Sequence, residues 1–245
     1  MRLKNIFLAS LFAGAAFLFS GCAGMQPARF VSTVDSLAQA DAVAKKRYVL
    51  LPGGKGVEAG DLQFQEYAAY VESVLSEKGF VKVATFQDAD VAIFLAYAIG
   101  DPQTYQYTYS LPTWGQTGVS SSNTYGTVSS YGNRATYSGT TTYTPTYGVT
   151  GSTTHVGTYT VYSRFLFLDA YDVPTYMKEK KMTQVWKTSV VSTGSSGDLR
   201  LVVPYMVAAM KPYLGTNTGR RIEVQVPADD PAVQVLRGGQ PPPAK

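Results

Sequence analysis

Between Asp101 and Thr160 the chain carries only two charged residues, Asp101 and Arg134. Of these 60 residues, 17 are Thr, 9 Tyr, 8 Ser and 8 Gly. A core element would need larger aliphatic side chains, and this stretch has only Leu111, Val119, Val128, Val149 and Val156. It therefore reads as a long insertion, and structureless loops of this length are uncommon in compact domains. Tyr125, Tyr131, Tyr137 and Tyr143 recur every six residues, each preceded by Thr or Ser. Six is even, so in one continuous strand these rings would share a face. Gly126, Gly132, Gly139 and Pro145 argue instead for a broken or flexible strand. Two readings follow. Either the tract is a low-complexity linker, or Tyr125, Tyr131, Tyr137 and Tyr143 form a surface for a glycan or protein partner. Uncharged Tyr/Thr/Gly tracts also self-associate as β structure.

The segments flanking the insertion have ordinary globular composition. Residues 29–226 are expected to form one domain, interrupted at 101–160. Residues 22–28 read as a tether, and the proline-rich tail 227–245 as disordered. Arg29 to Ser36 and Tyr48 to Leu51 read as strands. Asp61 to Lys78 is the clearest helix: Phe64, Tyr67, Ala68, Val71, Val74 and Leu75 recur at three- and four-residue steps. Asp61 is expected to cap its start and Gly79 to stop it. Val81 to Phe86 and Val91 to Gly100 follow as strands, the second apolar on both faces. Beyond the insertion, Thr158 to Asp172 and Thr183 to Ser192 read as strands joined by a polar connection, Pro174 to Lys181. A second helix is expected from about Leu199, starting late or kinked because of Pro204, and Ile222 to Val226 is a last strand. The resulting expectation is an α+β fold, ββαββ, insertion, ββαβ, with an antiparallel or mixed sheet and both helices on one face.

The N-terminus carries a different message. Arg2 and Lys4 precede a run, Ile6 to Phe19, that is apolar apart from Ser10 and Gly14. As a helix this run would rise about 21 Å, short of a hydrocarbon core of about 30 Å. Charge, short apolar run and the small residues Ser20 and Gly21 make a secretory signal over residues 1–21. The single cysteine of the chain, Cys22, follows at once. Phe19-Ser20-Gly21-Cys22 resembles the bacterial lipoprotein cleavage box, with Phe19 in place of the usual Leu. That resemblance implies acyl chains, palmitate among them, on Cys22, and Ala23 in the next position implies the outer membrane. Lipid on Cys22 would then be the membrane contact.

Without Arg2 and Lys4, 19 basic residues face 17 acidic ones, a net charge of +2. No basic run exceeds Lys45-Lys46-Arg47 or Lys178-Glu179-Lys180-Lys181, so a nucleic-acid partner is not expected. With one cysteine there is no disulfide framework.

Catalytic signals are weak. His155 is the only histidine, too few for a His-based metal site, and no Gly-x-Ser-x-Gly elbow accompanies it. It reads as an exposed loop or strand residue. Gly53-Gly54-Lys55-Gly56 lacks the first Gly and the Ser or Thr of a phosphate loop. Gly194-Ser195-Ser196-Gly197-Asp198 could cradle an anion but reads more simply as a turn ending in a helix cap. Asp88 with Asp90, and Asp169 with Asp172, are the acid pairs that glycosidic chemistry would need, though solvated turn positions explain them as well. Trp186 reads as core. No cofactor is expected.

The cleavage box, the helix end Lys78-Gly79-Phe80, Asp88-Ala89-Asp90-Val91 entering a strand, Phe165 to Tyr171 and Val185-Trp186-Lys187 are together similar to bacterial lipoproteins of the domain-of-unknown-function family 4136. The similarity spans most of residues 29–226 outside the insertion. It implies an envelope location and brings no catalytic residues. Three functions are weighed on these residues: a noncatalytic lipid-anchored protein that binds or scaffolds an envelope partner, a surface adhesive or self-assembling lipoprotein acting through the insertion, and a carboxylate-dependent wall or glycan hydrolase.

Overall fold

The computed structural model describes residues 28–238. The cleavage box, Cys22, most of the tether and the tail beyond 238 lie outside the described residues. Of those described, 53% are in strands and 24% in helices. The strands are β1 (Arg29–Ala38), β2 (Arg47–Pro52), β3 (Val81–Lys82), β4 (Val91–Ile99), β5 (Gln103–Tyr131), β6 (Arg134–Asp172), β7 (Gln184–Gly194) and β8 (Ile222–Pro227). The helices are α1 (Leu62–Glu77), α2 (Val173–Glu179), α3 (Leu199–Met210) and α4 (Pro231–Leu236). The chain divides into two compact units, one of residues up to Asp101 together with those from Tyr162 onward, the other Pro102–Val161.

In the first unit the sheet runs β3-β2-β4-β6-β7-β1-β8. β2 pairs in parallel with both β3 and β4, and α1 makes the crossover between β2 and β3. The remaining neighbours are antiparallel. Period-two alternation in β4 sends Val91, Ile93 and Leu95 into the main core, with Val71, Val74 and Leu75 of α1 and Val203, Met206 and Met210 of α3. Val71, Leu75, Ile93 and Leu95 are fully buried, as the helical and strand periodicities predict.

The end of α1 follows from one glycine. Gly79 takes a φ of +79°, and the Phe80 N–H donates back to the Leu75 carbonyl at 3.0 Å. This is the closure that lets Gly79 end a helix without Cβ strain. Asp61 stands at the start, but its carboxylate accepts from the Glu58 N–H at 2.9 Å rather than from the first turn of the helix.

The expected α+β class with two helices on one face does not hold. Among the described residues the chain is mostly β: seven strands of the first unit and β5, which pairs only with β6, make an eight-stranded mixed sheet, with four helices in the order ββαββββαβαβα. α2 replaces the polar connection expected at Pro174 to Lys181. Its first residue, Val173, packs with Ala89 and Ala92, and with Phe86 and Phe94, on the sheet face opposite the main core. α4 lies in the stretch expected to be disordered, and buries Val233 completely. Both start on an aspartate cap followed by proline: Asp172 accepts from Thr175 N–H, and Asp230 from Ala232 N–H. Such short helices carry start signals but too few turns for an apolar period to show. α3 contains Pro204 and begins at Leu199, with no late start.

Candidate functional site

The second unit is a single two-stranded ribbon. β5 pairs with β6 from Gln103↔Val161 to Tyr131↔Arg134, closing on Gly132-Asn133. Gly132 has a φ of +59°, and positive φ at the first central position alone is the type II′ pattern, which suits the strand twist. The expected breaks at Gly126 and Gly139 do not occur; at Pro145 the strand continues, but the pairing shifts register beside it, between Val119 and Ser121. Gly126 faces Gly139, and the Tyr137 ring covers both: a Cβ on either would meet it at 2.5 Å.

Three register shifts interrupt the pairing and leave Thr117, Ser120 and Thr150 without an opposite residue. Each of the three turns its hydroxyl to the carbonyl across the ribbon, Thr117 to Thr146, Ser120 to Thr144 and Thr150 to Thr113, all at 3.3 Å. A hydroxyl residue at a bulge thus supplies a bond where the ladder is disrupted. Hydroxyl pairs also bridge the strands, Thr124 to Thr141 at 2.8 Å and Thr104 to Thr160 at 3.1 Å.

The four hexad tyrosines do not share a face. The chain reverses between the second and third, and near the turn every odd-numbered residue pairs with an even-numbered one, as in Tyr125↔Thr140 and Val128↔Tyr137. Paired residues point to the same side, so Tyr125 and Tyr131 lie on one face and Tyr137 and Tyr143 on the other.

A better-formed surface lies in the half of the ribbon nearer its ends, where the register pairs odd with odd. Tyr105, Tyr107 and Tyr109 on β5 share a face with Tyr159 and His155 on β6. Tyr105 stacks on Tyr159 at 5.5 Å and 23°, and Tyr109 on His155 at 5.5 Å and 23°. Tyr107 sits 5.9 Å from Tyr109 and 6.0 Å from Tyr159. The tyrosines of this ladder remain 43–51% exposed. Flat rings with hydroxyl rims, held by their neighbours on a stretch of ribbon without charged side chains, can stack on an apolar ring face or a peptide plane while donating hydrogen bonds at the edge. The sequence signal was the alternation Tyr105, Tyr107, Tyr109 and the even spacing from His155 to Tyr159, which the six-residue recurrence obscured.

The first unit offers a second concavity. On the face away from the main core, Phe86, Phe94, Tyr171, Tyr176 and Met182 line a cavity of about 260 Å³, and Asp169 borders another of the same size beside it. Phe94 meets Tyr171 edge-on at 5.7 Å, and Phe86 meets Tyr176 at 6.2 Å. Burial holds the Asp169 carboxyl above the usual carboxylate range, against the pull of the Lys187 charge and a 2.8 Å hydrogen bond from Gln184.

The other carboxylates singled out by spacing are held in local structure. Asp90 accepts from the Arg47 guanidinium at 2.8 Å and from the backbone N–H of Lys46 and Arg47. The Arg47 hydrogen bond holds Asp90 below its ordinary range despite partial burial. Asp172 caps α2 and pairs with Lys45. Asp88 accepts from the Thr85 hydroxyl at 2.6 Å. Asp198 accepts from Arg200 N–H and so fills the start of α3 where an anion would bind. His155 is exposed on the ribbon, and Trp186 is buried against Phe80 at 6.0 Å. Among the described residues no cluster of three His, Cys, Asp or Glu could hold a metal ion. No helix among them is long and apolar enough to cross a membrane.

No family model matches the chain, and no curated protein matches it. Among solved structures, 82% of the chain aligns with a PDZ domain protein from Parabacteroides distasonis, at 13% identity and a TM-score of 0.37. The chain spans 40% of that protein's length. A likeness this weak defines neither a fold class nor a function.

Proposed function

We propose that this is a noncatalytic protein of the bacterial cell envelope, anchored by acyl chains on Cys22, that holds an envelope protein or glycan against the aromatic ladder of its ribbon. The observation that carries the reading is the exposed ladder Tyr105, Tyr107, Tyr109, His155 and Tyr159, set in a unit whose one charged residue is Arg134. Exposed aromatic rows without a core to fill are characteristic of contact surfaces. The anchor rests on the lipoprotein-type box before Cys22, and an outer-membrane location on Ala23. The resemblance to family 4136 lipoproteins supports the same location.

Two measurements test it. Mass spectrometry of the mature protein should find acylated Cys22 as the N-terminus; a free thiol there overturns the anchor. Tyr105, Tyr107, Tyr109 and Tyr159 changed together to Ser should lower partner crosslinking in intact cells, or retention on wall glycan, at least tenfold, while the melting of the seven-stranded unit holds. Capture equal to that of the parent would remove the ladder from function.

A further inference from the structure

The distal half of the ribbon has a row of aromatic and aliphatic side chains of its own, separate from the ladder and interleaved with Gln116, Ser122, Thr124, Thr141 and Ser130. Trp114 pairs with Val149, Gln116 with Tyr147, Ser122 with Tyr143 and Val128 with Tyr137. Alternation along β6 puts Tyr137, Tyr143, Tyr147 and Val149 on one side, and pairing adds Trp114 and Val128 to it. Thr150 is skipped in the pairing, whereas Thr113 and Trp114 are consecutive on β5. Consecutive strand residues point to opposite sides, so this row and the ladder lie on opposite sides of the ribbon. The distal row is wide open: Trp114 is 71% exposed, Tyr147 70%, Val128 68% and Tyr143 63%. Every residue from Val119 to Pro145 is exposed. The reverse side there carries Asn123, Thr127, Ser129, Thr136, Ser138, Thr140 and Thr142, with Tyr125 and Tyr131. A lone two-stranded ribbon is marginal in water; it needs further strands or a packed apolar face.

We infer that the distal face is covered by the same face of a second copy of this chain, the two ribbons stacking as a four-stranded sandwich. Charge and size favour that occupant. The unit contains no Lys, Asp or Glu, and its one cation, Arg134, pairs with Tyr131 on the reverse side, so two copies meet without like-charge repulsion. From Trp114 to Tyr131 the ribbon is about 60 Å long and, at two strands, about 10 Å wide. Stacking face to face then buries about 600 Å² per copy, roughly 1,200 Å² in all, which reaches the range of specific interfaces. Residues that meet across a two-fold axis meet themselves, and a row of tyrosine, tryptophan and valine packs well on its own kind.

The test compares the oligomeric state of the purified full chain with two variants by sedimentation equilibrium and native mass spectrometry. Tyr143→Lys with Tyr147→Lys puts charge on the distal face. Asn123→Lys with Thr127→Lys puts equal charge on the reverse side. The parent and the reverse-side variant should be dimers, and the distal-face variant should dimerise at least tenfold more weakly. Tyr143→Phe with Tyr147→Phe should restore the dimer, separating face contact from loss of ribbon structure. The inference is overturned if the parent stays monomeric at about 100 μM, where a dimer with a Kd of about 1 μM would be nearly complete. It is equally overturned if both lysine variants behave alike, or if the distal-face variant loses binding to lipid vesicles or wall glycan while no dimer exists. A monomer that still captures its partner through Tyr105, Tyr107, Tyr109 and Tyr159 would refute the dimer and leave the proposed function standing.

Discussion

The ring of Tyr107 lies against Gly157, the residue paired with it across the ribbon, so closely that a Cβ on Gly157 would stand 2.6 Å from the ring. The missing side chain lets Tyr107 lie down between Tyr109 and Tyr159. Gly157→Ala should lift the ring and cost the ribbon about 0.2–1 kcal/mol of cross-strand packing. Ring-current shifts of Tyr109 and Tyr159 in the NMR spectrum report it, and unchanged shifts would mean the ladder does not depend on Gly157.

Among the described residues, every buried hydrophobic side chain lies outside Pro102–Val161. The ribbon should therefore be dispensable for the rest of the fold. Deleting Pro112 to Ser152 and joining Leu111 to Thr153, which face each other, through Asn-Gly keeps the register. Calorimetry should show the main transition unchanged. A large fall in its midpoint would assign the ribbon a part in the core's stability.

Leu75 on α1 is fully buried, whereas Leu62 at the start of the same helix is 83% exposed. Leu75→Ala should lower unfolding free energy in urea by about 2–5 kcal/mol. Leu62→Ala should stay within about 0.5 kcal/mol of the parent. Equal effects would show that α1 packs by a different face.

Two aspartates on β6 should respond to pH with opposite signs. Burial works against the charge of Asp172, but hydrogen bonds from Lys45 and Thr175 and the Lys45 charge outweigh it and hold the carboxyl below its ordinary range. Its contribution is present above the unfolded value of about 3.9 and is lost as pH falls through the lower folded value. Asp172→Asn should thus cost about 1.5–3 kcal/mol at neutral pH, the loss fading in acid. Asp169 is raised by burial, so it favours folding only while protonated, below about pH 3.9, and that favour is gone once pH passes the folded value. Asp169→Asn should leave the protein more stable than the parent at neutral pH, and the gain should disappear in acid. Denaturation midpoints across pH 2–8 check both; a loss of stability in Asp169→Asn at neutral pH would show that the carboxylate charge is used there.

α1 and the two-sided strand β4 were legible because several turns or alternations repeat the same message: Phe64 through Leu75 at helical steps, Val91 through Ile99 in a central position. α2 and α4 were not, because one buried residue each, Val173 and Val233, makes no period. Their signals, Asp172-Val173-Pro174 and Asp230-Pro231, resemble those of a loop until something is packed beneath them. The aromatic ladder was half legible. Tyr105, Tyr107 and Tyr109 alternate openly, but His155 and Tyr159 join them only through pairing over some fifty residues of chain.

Sequence alone settles which residues of the ribbon can share a side within one strand, since side chains alternate with a period of two. It also settles that this unit has only Arg134 with which to blunt an edge or keep a second copy away. It does not settle which tyrosines end on which face. That depends on where the chain reverses, at Gly132-Asn133, and on which residues are skipped, Thr117, Ser120 and Thr150. A shift of one residue moves every later side chain to the other side. Only the paired strands show that Tyr125 and Tyr143, alike in sequence, lie on opposite faces.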